Sequence, residues 1–288
     1  MLNKFNVKKR LRDAVIDMFS HGNDPMKHTF SFKGDPGLFG PSSVTWRIIS
    51  DVSGFMGGIR ALYLQAAHPE VVAGVYQHSN YREDPFGRLS RTGDYVAVTA
   101  FGATPEVTKM IDHVKRMHHK VTGISARNKP YAGNDPALAS WVHNSLVDSF
   151  LVAYQLFGDQ PLSKQDADAF VNEQTTIGRL MGANELPPTA NDLTHWINNH
   201  PNMASTIETA SVLKFLNHPP LPPTVRLGYS LLKDAAIGSF HSKVQAIINH
   251  HPTRLWKAKG HFFITLMRKS LGFSPARDIA LQRIAMTP

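Results

Sequence analysis

His118 and His143 are the residues of this chain best placed to do chemistry. His118 shares an apolar helical stripe with Val107, Met110, Ile111, Val114, Met117 and Val121, because residues three and four apart lie on one helix face. His143 falls in a segment from Trp141 to Ala153 that is apolar nearly all round. An imidazole in either place must find a hydrogen-bonding neighbour or ligate something. The connection between them contains Gly123, Asn128, Pro130 and Gly133, so the two helices form an antiparallel hairpin with one histidine on each side. Such a pair can sandwich a haem iron or hold another metal. Spacing alone does not separate haem from non-haem iron or zinc, although an ion site lacks its usual inward carboxylate here.

Helices in direct contact run about 8–10 Å apart. That is too close for two imidazoles and an iron, so a macrocycle would have to wedge the pair open. Gly54, Gly57 and Gly58, inside a mostly apolar helical pattern, could supply a flat wall, a close helix contact or a kink. Lys115 and Arg116 lie beside His118 on more polar faces. A second cationic group, His78, Arg82, Arg88 and Arg91, suits carboxylates such as haem propionates. It reads equally as a polar loop and cap held by Glu83 and Asp84. Arg47 and Arg60 each put a cation on an otherwise apolar pattern, where it must snorkel, pair with an acid or meet an anionic ligand.

No phosphate-binding glycine loop, nucleophile elbow or HExxH zinc motif occurs, so a bound cofactor is expected to carry the chemistry. Cysteine is absent, which removes disulfides, iron–sulfur clusters and thiolate-ligated haem. The 288 residues are 42% hydrophobic and 18% charged, an ordinary globular balance. The net charge of +9 concentrates in Lys4, Lys8, Lys9, Arg10 and Arg12 and in Arg254, Lys257, Lys259, Arg268 and Lys269. Such ends can meet an anionic surface or be solvated helix faces. No nucleic-acid-binding pattern accompanies them. No signal peptide or membrane span is expected, which suggests a cytoplasmic protein with scope for peripheral membrane contact.

Helical patterns follow one another along the chain, and no period-2 strand stands out. A first amphipathic helix is expected over Leu11 to Phe19, within an N-terminal basic segment of residues 1–29. The expected elements of residues 30–288 include a Ser42- or Ser43-capped helix from Val44 to about Ala67 and one over Leu89 to Phe101. A Thr104-capped helix running to about Val121 and another from Asp135-Pro136 follow. Ser163 with Asp166 then opens a helix to Met181, and further helices span Asp192–Asn199, Met203–Asn217, Val225–Ile248, Thr253–Leu271 and Pro275–Met286. The fold class is all-α, one globular domain.

The run Gly34-Asp35-Pro36-Gly37-Leu38-Phe39-Gly40-Pro41 leads into Val44-Thr45-Trp46-Arg47. With Leu64-Gln65-Ala66-Ala67-His68-Pro69, His78 through Leu89, Arg91-Thr92, Met117-His118 and Tyr131 through His143, it resembles a bacterial family grouped with the MpaB oxygenase and latex-clearing protein, a rubber oxygenase. The resemblance spans roughly residues 30 to 270. It implies a globin-like helical core around non-covalent haem b, with the histidine of Trp141-Val142-His143 as proximal ligand. Rubber-cleaving members carry Arg-x-x-Lys-Thr on the distal side. Lys115-Arg116-Met117-His118-His119 is the stretch set against it here, with His118 in place of the lysine.

Together these readings suggest a haem-dependent oxidoreductase, an oxygenase using dioxygen on a small apolar or unsaturated substrate. His118, Lys115 and Arg116 would be catalytic, His143 and His118 would bind iron, and His78, Arg82, Arg88, Arg91 and Arg47 would hold the cofactor. The alternatives are a non-catalytic bis-histidine haem-binding or sensing protein and a non-haem metal enzyme. Oligomeric state and substrate are not written in the sequence.

Overall fold

A computed structural model describes residues 26–272 and 274–287. The helix expected at Leu11–Phe19 and the lysine cluster around it lie outside the described residues. The rest is all-α, with thirteen helices: α1 (Val44–Ile49), α2 (Gly54–Ala66), α3 (Pro69–His78), α4 (Pro85–Phe101), α5 (Thr104–His118), α6 (Pro136–Phe157), α7 (Lys164–Leu180), α8 (Ala190–Asn199), α9 (Ile207–Asn217), α10 (Pro223–Gly238), α11 (Ser242–Ile248), α12 (Trp256–Leu271) and α13 (Pro275–Ala285). Side chains set many of the starts. Ser43, Asp84, Asp135, Ser163, Thr189 and Thr206 each accept a first-turn backbone N–H, satisfying donors that have no partner within the helix.

Several boundaries differ from the expected ones, each for a local reason. The helix expected from Val44 to Ala67 breaks at 50–53 into α1 and α2. There the Asp51 carboxylate accepts the Ser53 N–H at 2.8 Å and the Arg268 guanidinium at 2.8 and 2.9 Å, drawing the chain out of the helical ladder. Thr104 is inside α5, whose cap is Ala103. The Glu106 carboxylate takes the Ala103 N–H at 2.9 Å, supplying half of a capping box without a hydroxyl. The expected 225–248 helix divides into α10 and α11 around Ser239, Phe240 and His241. The connection after His118 holds a hairpin, β1 (Thr122–Ile124) paired antiparallel with β2 (Pro130–Ala132). Three-residue strands are too short to show alternation, and Asn128 at φ 58° closes the turn.

The centre of the molecule is the α2–α6 pair. A Cβ on Gly57 would sit 3.2 Å from the Ser149 carbonyl and 3.1 Å from the Phe150 ring, so these glycines buy close helix approach. A Cβ on Gly54 would likewise meet Phe150 at 3.2 Å, whereas one on Gly58 has nothing within 4 Å. Arg60 crosses the same interface and pairs with Asp148 at 2.6 Å, with Ser149 and Ser239 completing its bonds and the Phe240 ring beneath it. Both ions are buried, so the cation singled out in the sequence is satisfied internally. On one side α10 and α12 pack against α2 and α6. On the other, α7 bridges α1, α6 and α8, and α4 carries α1, α5 and α13.

Candidate functional site

His143 projects from α6 into a small apolar cavity. Tyr95, Val96, Thr99 and Ala100 of α4 form one wall, Leu146, Val147 and Phe150 of α6 a second, and Phe170, Gln174 and Ile177 of α7 a third, with Ile49 closing the end. Burial pushes the His143 pKa down to about 4, while the backbone carbonyl of Gln174 pulls it the other way. The ring is therefore neutral near pH 7 and held by a main-chain acceptor, the state in which an imidazole can ligate a metal. Gly178 makes room for it: a Cβ there would lie 2.9 Å from His143 Cδ2. No charged side chain lines the cavity. Its volume of about 20 Å³ holds little more than a water molecule. A macrocycle therefore needs α4 and α6 to part.

His118 stands elsewhere. It is the last residue of α5, half-buried, with its backbone against Gly133 at the base of the hairpin. It does not line the His143 cavity, and α5 packs on α4 rather than on α6. The expected sandwich of His118 and His143 is thus not formed: α4 supplies the wall opposite His143. Burial lowers the His118 pKa. Lys115 and Arg116 are exposed beside it.

The cationic residues divide by partner. Arg47 reaches out to Asp166 at 2.7 Å, both side chains exposed. His78 joins the Thr122 carbonyl at 3.0 Å and so anchors the hairpin. Arg82 stacks on Tyr76 and Tyr81 and donates to Ser211 at 3.0 Å. Arg91 approaches Asp84, the α4 cap, at 3.4 Å. None of the four lines the cavity. Arg88 differs. Among the described residues its side chain donates one hydrogen bond, to Ser79 Oγ at 3.2 Å, and pairs with no carboxylate. Desolvation and the neighbouring Arg91 lower its pKa.

Arg88 lies seven residues before Tyr95, hence on the same face of α4 and about 10 Å along its axis. Arg88 thus sits on the helix that faces His143. Sequence reasoning missed Tyr95, Thr99 and Gln174. The Tyr95 hydroxyl, its pKa raised by burial, has no hydrogen-bond partner among the described residues. The i, i+4 pair Tyr95 and Thr99 would have pointed to this face of α4.

One of three comparisons with known proteins finds a match. Residues 46–269 match the family model for the ER-bound oxygenase mpaB/B′/rubber oxygenase catalytic domain. The chain belongs to this family. The match begins at Trp46, one residue after the start of α1's buried stretch, and ends inside α12, so it contains every wall of the His143 cavity. No curated protein and no solved structure matches the chain.

Proposed function

We propose that this oxygenase-family protein binds haem b between α4 and α6, with His143 as the residue that would hold its iron, and oxidises an apolar or unsaturated substrate with dioxygen. The observation that carries the reading is His143 itself: a neutral, buried imidazole, steadied by a backbone carbonyl and facing an apolar cavity. Among the described residues no three His, Asp or Glu side chains come together as an ion cage. A haem needs only one such protein ligand, whereas a bare ion needs several.

Bound haem iron would supply the activation of dioxygen, which protein side chains cannot provide. This chain's own groups would do the rest. His143 holds the iron and, lacking a charged partner, leaves it without thiolate-like electron donation. The Tyr95 hydroxyl stays protonated at neutral pH and lines the cavity as a donor, with Thr99 one turn further along α4 donating to the Tyr95 carbonyl. Leu146, Val147, Phe150 and Phe170 exclude water and favour an apolar substrate. Arg88, without an acid of its own, is the group on this face suited to a propionate. His118 does not line the cavity and so would not hold iron bound there, which supports turnover over the bis-histidine sensing alternative.

The test is the absorption spectrum of protein purified from haem-supplemented cells. We expect a Soret band and stoichiometric iron, both lost in His143→Ala with the helical circular dichroism retained. A wild-type protein that folds but takes up no haem overturns the proposal, as does a His143→Ala protein with an unchanged Soret band.

A further inference from the structure

The outer face of α12 carries large apolar side chains that nothing in the described structure covers. Leu255 is 60% exposed, Phe262 71% and Leu266 51%, and Leu227 of α10 is 71% exposed. They form one surface because α10 and α12 run antiparallel: Gly238 abuts the Trp256 ring and Gly228 the Phe263 ring, which brings Leu227 to the Phe262–Leu266 end. Along α12 the exposed positions 255, 259, 262, 266 and 269 recur every three or four residues. Leu255, Phe262 and Leu266 therefore alternate with Lys259 and Lys269 on one stripe. Trp256, Gly260, Phe263 and Ile264 face inward.

The charge around this stripe has one sign. Between Asp234 and Asp278 the sequence has no Asp or Glu and seven Lys or Arg. Arg268 is taken up by Asp51. Asp234 itself accepts from Thr253 at 2.8 Å. Arg254, Lys257, Lys259 and Lys269 have no carboxylate partner among the described residues.

We propose that the α10–α12 face docks on an anionic lipid surface, with Phe262, Leu266, Leu255 and Leu227 entering the headgroup–acyl boundary and the lysines meeting lipid phosphates. Exposed apolar groups interleaved with cations and no acids are what an interfacial helix requires. A second copy of the chain would bring one basic face against another. The proposal is independent of the haem reading, and α12 contributes nothing to the His143 cavity.

Flotation of the full chain with vesicles tests it. We expect binding to equimolar phosphatidylcholine and phosphatidylglycerol, weakened by salt, and little binding to phosphatidylcholine alone. Phe262→Asp with Leu266→Asp should weaken binding at least about tenfold, and each of Lys257→Ala, Lys259→Ala and Lys269→Ala about fivefold. All five positions are exposed, so thermal melts should match the wild type. Absence of binding to the anionic vesicles overturns the proposal. So does binding that the two aspartates leave unchanged, or a dimer in sedimentation velocity that they dissociate.

Discussion

At the scale of single residues, the two histidines that look equivalent in the sequence part company once packed. Both sit on apolar stripes, but only His143 meets a cavity. The stripe that holds His118 ends at a hairpin whose three-residue strands left no periodic trace. We therefore expect His118→Ala to keep the wild-type haem spectrum and His143→Ala to lose it. A five-coordinate shift in His118→Ala would restore the sandwich. Gly178→Ala is a finer probe. Its methyl would meet Leu186 Cδ2 at 2.5 Å and His143 Cδ2 at 2.9 Å, and overpacking of this kind costs roughly 1–3 kcal/mol. The variant should melt lower and bind haem more weakly. Equal haem affinity in a destabilised Gly178→Ala protein would show that Leu186, and not the ring, takes up the strain.

At the scale of elements, helix identity and many helix ends were readable, such as those at Phe101, Asn199, Asn217 and Leu271, while internal breaks were not. Ser43, Asp135 and Ser163 stand where their caps are needed, and the stripe of α5 and the unbroken apolarity of α6 forecast their burial. The break between α1 and α2 was hidden because its cause, Arg268, lies 217 residues along the chain from Asp51. The same distance hid the role of α4: nothing in its own sequence says that it will lie across from His143. Asp51 is nearly inaccessible and Arg268 only partly exposed. Removing one partner strands a buried charge and typically costs about 3–5 kcal/mol. Urea unfolding of Asp51→Ala should show a loss of that order, and Arg268→Met a similar one. A loss below about 1 kcal/mol in both would mean that the break is set by something other than this pair.

At the scale of the whole molecule, burial of neutral histidines couples the fold to pH. His143 and His68 are both pushed down to about 4, chiefly by desolvation, with Glu70 opposing the effect at His68. Unfolded, each ring titrates near 6.5. The folded state thus prefers the uncharged rings, so their contribution is intact above pH 6.5 and is lost as pH falls from there towards 4. The loss is on the order of 3 kcal/mol for each ring. Denaturation midpoints should accordingly fall steeply between these values, and His68→Gln should flatten part of that limb. Haem separates the two histidines, because only a neutral His143 can hold iron. Acidification should then release haem at the same pH in the wild type and in His68→Gln. Release that instead follows the His68 substitution would move the cofactor's anchor from α6 to the cluster around Trp141, where the ring centroids of His68 and His200 lie 5.4 and 4.6 Å from that indole.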